Sequence, residues 1–177
     1  MFQHIMVPTD GSPLAERAIR AAMEVAQETG ARVTGFHAVR PTRRYRLYET
    51  VTFHPFVWRE DVEREVQEQA ARALHVVLDA AAAAKVSCET VYDMTDEPPH
   101  RAIIRVAEAR GCDLIIMASH DRQGIGPTLM GSEATQVLKH CRIPVLVLHE
   151  KPFMGAAGGG ADASNRAAAE PAKRAAG

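Results

Sequence analysis

The sequence predicts an α/β fold: a five-stranded parallel sheet, doubly wound, with helices on both faces. Three observations predict it. Short apolar runs alternate with segments of 3.6-residue periodicity, three of the four helical segments are opened by Pro or Ser or closed by Gly, and the run Asp113–Ala118 is almost wholly apolar. A strand without polar alternation is buried on both faces, which places it in the centre of a parallel sheet.

The elements follow in order. His4-Ile5-Met6-Val7-Pro8 reads as a strand ending at a turn. Ser12 is the expected N-cap of the first helix and Pro13 its first residue, where the missing N–H costs nothing. Ile19, Ala22, Met23 and Ala26 recur on one face, and Gly30 supplies the stop. Arg32 to Val39 is the second strand. A long helix is expected from about Arg59 to Ala84, with Val62, Val66, Ala70, Ala73, Val77 and Ala81 on one face. The third strand is expected over Ser87 to Tyr92. Pro98-Pro99 opens a helix that Gly111 closes, and Asp113 to Ala118 is the fourth strand. A fourth helix starts at Gly131-Ser132, with Ser132 as its expected cap, and ends near His140. Pro144 to Leu148 is the fifth strand, its proline tolerable at a strand start.

Composition narrows the function classes. The chain has 177 residues, 46% apolar and 24% charged, with a net charge of −1. That length suits one domain with a tail: residues 1–150 as the domain and 151–177 as a disordered Ala/Gly-rich segment without a sizeable apolar core. The near-neutral balance argues against nucleic-acid binding and against attachment to an anionic membrane. No apolar run reaches the ~18 residues of a membrane span, and the start carries no basic leader, so a cytoplasmic protein is expected. Cys88, Cys112 and Cys141 show neither metal-ligand nor disulfide spacing.

Ligands of such sheets bind beyond the strand C-termini, where the strand order reverses. Pro8-Thr9-Asp10-Gly11-Ser12 places a carboxylate there. Asp10 and Ser12 either shape the turn and cap the helix, or Asp10 faces the cleft, where it could accept from a ligand hydroxyl or hold Mg²⁺. Ala118-Ser119-His120-Asp121-Arg122-Gln123-Gly124, followed by Gly131-Ser132, is a glycine-containing loop leading into a helix N-terminus, a favourable place for phosphate. It is neither a Walker loop nor GxGxxG. The arginines of Arg40-Pro41-Thr42-Arg43-Arg44-Tyr45-Arg46 are read as solvated. Dispersed His37 and His120 lack metal-ligand spacing, so no metal site is expected. The aromatics of the Arg40–Trp58 connection read as packing back as a lid.

The segments IMVPTDGSPLAERAI, DLIIMASHDRQG and LMGSEATQVLKHCRIPVLVL together resemble the universal stress protein family, end to end over residues 1–150. The resemblance implies the Rossmann-like, adenine nucleotide alpha hydrolase-like fold and a Gly-x2-Gly-x9-Gly-Ser/Thr motif around phosphates. It implies nucleotide-binding roles for Pro8, Thr9, Asp10, Val39, Ala118, Gly131, Ser132 and Glu133, and no catalytic residues. Gly131-Ser132 match the motif, whereas its first two glycines fall on Ala118 and Asp121. A carboxylate about 5 Å from a phosphate costs on the order of 3 kcal/mol per charge at a dielectric near 20, so Asp121 is the weightier departure.

The expected function is therefore a non-enzymatic stress-response regulator binding ATP or another adenine nucleotide, with or without Mg²⁺. The alternative is a nucleotide-independent homodimeric interaction module of the same fold, in which Ala118 and Asp121 mark lost phosphate binding. An adenylating enzyme would carry HIGH-like or SGGxDS sequences, and neither is present. The terminal strand Pro144 to His149 is expected at a sheet edge, pairing with a second copy. A further protein partner is left unspecified.

Overall fold

The computed structural model describes residues 1–40, 56–119 and 131–149, and the side chains of 56–62 are not described. Five strands and four helices alternate: β1 (His4–Pro8), α1 (Pro13–Thr29), β2 (Arg32–Val39), α2 (Phe56–Ala84), β3 (Cys88–Met94), α3 (Pro99–Ala109), β4 (Leu114–Ser119), α4 (Ser132–His140) and β5 (Val145–His149). The strands form one sheet in the order β3-β2-β1-β4-β5, and every pairing is parallel.

Strand alternation splits the core in two. Ile5, Val7, Leu114 and Ile116 face α1 and α2, where they meet Ile19, Met23 and Val77. Met6, Phe36, Ile115 and Met117 point the other way, onto Ile103 and Val106 of α3 and Val137 of α4. Both faces of β1 and β4 are thus apolar because both are covered. Each large side chain so buried contributes about 1.5–3 kcal/mol, which is why the central strands tolerate no polar alternation.

The caps of α1 are those the sequence predicts. Ser12 Oγ accepts from the Ala15 N–H at 3.2 Å, Pro13 opens the helix, and Gly30 ends it in the left-handed region at φ 73°. Other boundaries differ. α2 begins at Phe56, three residues before the expected start. β3 continues to Met94 because β2 offers a partner as far as Val39. β4 starts one residue later than expected; the Asp113 N–H still donates to the His4 carbonyl at 2.9 Å, while its carboxylate accepts the N–H groups of Gln3 and His4 at 2.8 and 2.9 Å. β5 likewise starts at Val145, while the Pro144 carbonyl accepts the Ile115 N–H. Ser132 is not the cap of α4: Gly131 occupies that position and Ser132 is the first helical residue.

One close approach sets the distance between α2 and the sheet. A Cβ on Gly35 would lie 2.9 Å from Val77 Cγ1, so only glycine lets α2 settle onto β2 there. Most of the Arg40–Trp58 connection, the loop carrying His120, Asp121 and Arg122, and the C-terminal segment from residue 150 lie outside the described residues, so the lid, solvation and tail expectations are not addressed by them.

Candidate functional site at the strand switch point

β1 sits between β2 and β4, so the chain leaves it towards one side of the sheet through α1 and returns on the other through β4. A crevice opens where such connections diverge. Here it is a cleft of about 280 Å³. The strand ends contribute Pro8, Thr9 and Asp10 from β1 and its turn, Phe36, His37 and Ala38 from β2, and Met117 and Ala118 from β4. Ser12 and Ala15 line it from the start of α1, Pro99 and Ile103 from α3, and Glu133 from α4.

The corner after β1 is built from local hydrogen bonds. The Thr9 N–H continues the ladder to the Phe36 carbonyl at 2.8 Å. Thr9 Oγ1 accepts from the Gly11 N–H at 3.1 Å, and Asp10 Oδ1 accepts from the Ser12 N–H at 2.9 Å. Gly11 has φ +76°, and a Cβ there would come within 3.3 Å of the Ala73 backbone. The Asp10 carboxylate thus shapes the turn, and Asp10 is among the residues that line the cleft.

Beneath this corner lies His37, buried at 6% exposure. Its Nδ1 is 2.7 Å from the Thr9 carbonyl oxygen, which can only accept, so Nδ1 donates and the other ring nitrogen is Nε2. That Nε2 is buried without a hydrogen-bond partner among the described residues. Sequence spacing marked His37 only as a weak metal candidate. Its contact with Thr9 depends on strand pairing, which no local pattern reveals.

The opposite corner joins β4 to α4. Ser119, only 2% exposed, accepts the Gly131 N–H on Oγ at 2.8 Å, and the Gly131 carbonyl accepts from Thr135 N–H and Oγ1, each at 3.1 Å. Ala118 lies in the extended backbone of β4, and Lys85 is the one non-glycine residue with positive φ among the described residues. Ala at 118 thus meets no left-handed strain. Glu133 turns towards α3: Oε2 accepts the His100 backbone N–H and sits against His100 Nδ1, both at 3.1 Å.

Pro8, Thr9, Asp10, Ala118 and Glu133 thus line one cleft. Val39 does not line it. Its side chain is buried against Val66 and Ala70 of α2, its carbonyl accepts the Thr95 N–H at 3.1 Å, and His37 and Ala38 form the β2 rim instead. Gly131 and Ser132 flank the lining through their neighbour Glu133 rather than forming part of it. Asp121 and His120 lie outside the described residues. Among those described, no group of three His, Cys, Asp or Glu side chains could hold a metal. Burial pushes all three thiols up, Cys112 to about 11, so at neutral pH none of them is a thiolate nucleophile. No helix among the described residues is long and apolar enough to cross a membrane.

An all-parallel, doubly wound sheet with a largely apolar cleft at its switch point, rimmed by a few polar groups, defines a class of small-ligand α/β proteins. The profile of the universal stress protein family matches residues 1–149, and the chain belongs to that family. A universal stress protein of Methanocaldococcus jannaschii is 31% identical over 159 residues, covering 86% of this chain and 84% of its own. A solved universal stress protein in complex with cAMP is similar to this fold with a TM-score of 0.63 at 24% identity, over 85% of this chain and 99% of its own. The universal stress protein from Archaeoglobus fulgidus in complex with dAMP gives a TM-score of 0.55 at 21% identity, over 82% and 97%. The fold is accordingly the Rossmann-like, adenine nucleotide alpha hydrolase-like one.

Proposed function

We propose that this chain is a non-enzymatic cytoplasmic stress-response regulator that binds an adenine nucleotide in the cleft between the β1 and β4 ends. The observation that carries this reading is the meeting of the Asp10 corner with Ala118 and Glu133 in one cavity. Cyclic and deoxy adenine monophosphates bound by solved relatives support the ligand class. Pro8, Thr9 and Asp10 would hold the nucleoside, with the β2 rim at His37 and Ala38 beside the base. Backbone groups of Gly131, Ser132 and Glu133 at the start of α4 would meet phosphate, where helix N–H groups and the macrodipole favour an anion. Asp10 is the residue that would hold Mg²⁺ brought in with a polyphosphate such as ATP.

The same reading includes a homodimer through the edge strand Pro144–His149. The two sheet edges differ in a way that supports it. On β3, Glu89 and Asp93 carry charge, paired with Arg110 and Arg105. From Val145 to Leu148 β5 carries none, and Leu146 is 45% exposed. An uncharged edge with unpaired backbone groups favours a second strand.

The test is to denature the purified protein and chromatograph the supernatant at 260 nm, with thermal shifts in millimolar adenine nucleotides alongside. Co-purified nucleotide, or a shift that Asp10→Ala abolishes, is expected. Absence of both would favour the nucleotide-independent interaction module instead.

A further inference from the structure

The start of α3 lacks a cap of its own. Pro98 stands at the N-cap position with no side-chain acceptor, and Pro99 follows it, so the first free backbone donor is the His100 N–H. That donor is taken by the Glu133 carboxylate from the first turn of α4, which also holds the His100 ring at 3.1 Å. One side chain thus supplies the anion for the start of α3 while standing in the positive end of α4. The carboxylate is 44% exposed on its side chain, and Glu133 lines the cleft. No Lys or Arg lines the cleft among the described residues.

We infer that Glu133, held in place by His100, sets the charge class of the ligand: the cleft favours an adenine nucleoside or monophosphate over a metal-free di- or triphosphate. The inference rests on the nucleotide reading of the cleft and deepens it. Glu133 is the second residue of α4 and stands in the first turn, so its carboxylate shares that helix end with any anion seated there. Partly screened by solvent, that carboxylate lowers the affinity of a metal-free triphosphate by about tenfold in total relative to a ligand without the added charge. The internal carboxylate also answers the helix dipoles that would otherwise attract a polyphosphate.

The experiment is calorimetric titration of the full chain and of Glu133→Gln with adenosine, AMP and ATP, without and with Mg²⁺. Gln keeps an oxygen that accepts from the His100 N–H, so the contact between α3 and α4 is retained. For the parent chain, binding of adenosine or AMP is expected to be about tenfold or more tighter than that of metal-free ATP. Glu133→Gln is expected to raise metal-free ATP affinity by about tenfold, with adenosine affinity changed less than about twofold. Mg²⁺ should narrow the gap for the parent chain and have less effect on the variant. If adenosine or AMP binds but the ATP-to-adenosine ratio is the same in both proteins, the Glu133 inference fails and the nucleotide reading stands. If no adenine ligand binds either protein, the nucleotide reading fails and takes the inference with it.

Discussion

Ser119 Oγ and the Gly131 backbone N–H, twelve residues apart in sequence, meet at 2.8 Å, and this bond fixes where α4 begins relative to the end of β4. Gly131 offers no side-chain cap, so the acceptor that α4 needs is borrowed from the strand before the loop. Because Ser119 is buried, water cannot replace that acceptor readily.

Ser119→Ala is therefore expected to destabilise the chain by about 1–3 kcal/mol, the cost of stranding a donor in a part-buried place. Urea unfolding reads this directly. An unchanged midpoint would mean that the start of α4 is held by something other than Ser119. If nucleotide binds as proposed, the same variant should also weaken it, since Gly131 is the hinge of the phosphate end.

Gly35→Ala should cost about 1–3 kcal/mol, because the new methyl group would press on Val77 Cγ1 at 2.9 Å. Shortening Val77 to Ala removes the obstructing atom. In that background Gly35→Ala should cost distinctly less, a positive coupling in a double-mutant cycle. Equal cost in both backgrounds would show that the spacing of α2 and β2 is not the reason for glycine.

Acid should weaken the fold in two windows. Burial, followed by the nearby Arg32 charge, pushes His4 below its ordinary value of 6.5. Its Nε2 hydrogen bonds to Thr34 Oγ1 at 2.7 Å, and Thr34 donates to Glu89, leaving Nδ1 buried without a hydrogen-bond partner among the described residues. A depressed folded value means the unfolded chain takes the proton first. The His4 contribution is thus complete above about pH 6.5 and is lost as pH falls towards the depressed folded value. Asp113 acts lower. Burial alone would raise its carboxyl, but the backbone N–H groups of His4, Gln3 and its own residue outweigh that and hold it below 3.8. Its contribution is complete above the unfolded value and disappears as pH falls through the folded one. Urea midpoints across pH should show both steps, and His4→Gln should flatten the upper one while leaving the lower. A variant whose midpoint still falls between about pH 7 and 5 would place that step elsewhere.

Leu146→Asp should yield monomers in sedimentation, with the thermal midpoint of the separated chain little changed because that side chain is 45% exposed. Val147 is less suited to the test, since it packs against the core beneath α4 and a charge there would also disturb the fold. A dimer persisting in Leu146→Asp would move the interface away from β5.

Much of the architecture was legible in the residues because its causes are local. Ser12, Pro13 and Gly30 bound α1 through chemistry that acts within one turn of chain, and the unbroken apolarity of β4 reports burial on both sides. The turn chemistry of Asp10 was equally readable, as were the positions of Pro8, Thr9 and Ala118 at strand ends. Boundaries shifted where a distant partner decided them: Met94 joins β3 because Val39 is there to pair with it.

The sequence by itself determined the alternation of elements, the two-sided core, and the placing of Asp10 just after a strand and of Gly131 at a helix start, since apolar period and caps depend on neighbours a few residues away. Only the tertiary structure decided that His37 holds the Thr9 carbonyl, that Val39 turns under α2 and out of the cleft, and that Glu133 caps α3 from α4. Those relationships join residues 28, 27 to 31 and 33 positions apart, as His37 with Thr9, Val39 with Val66 and Ala70, and His100 with Glu133. Their geometry exists only once parallel strands and packed helices have brought the partners together, so no local pattern in the chain encodes them.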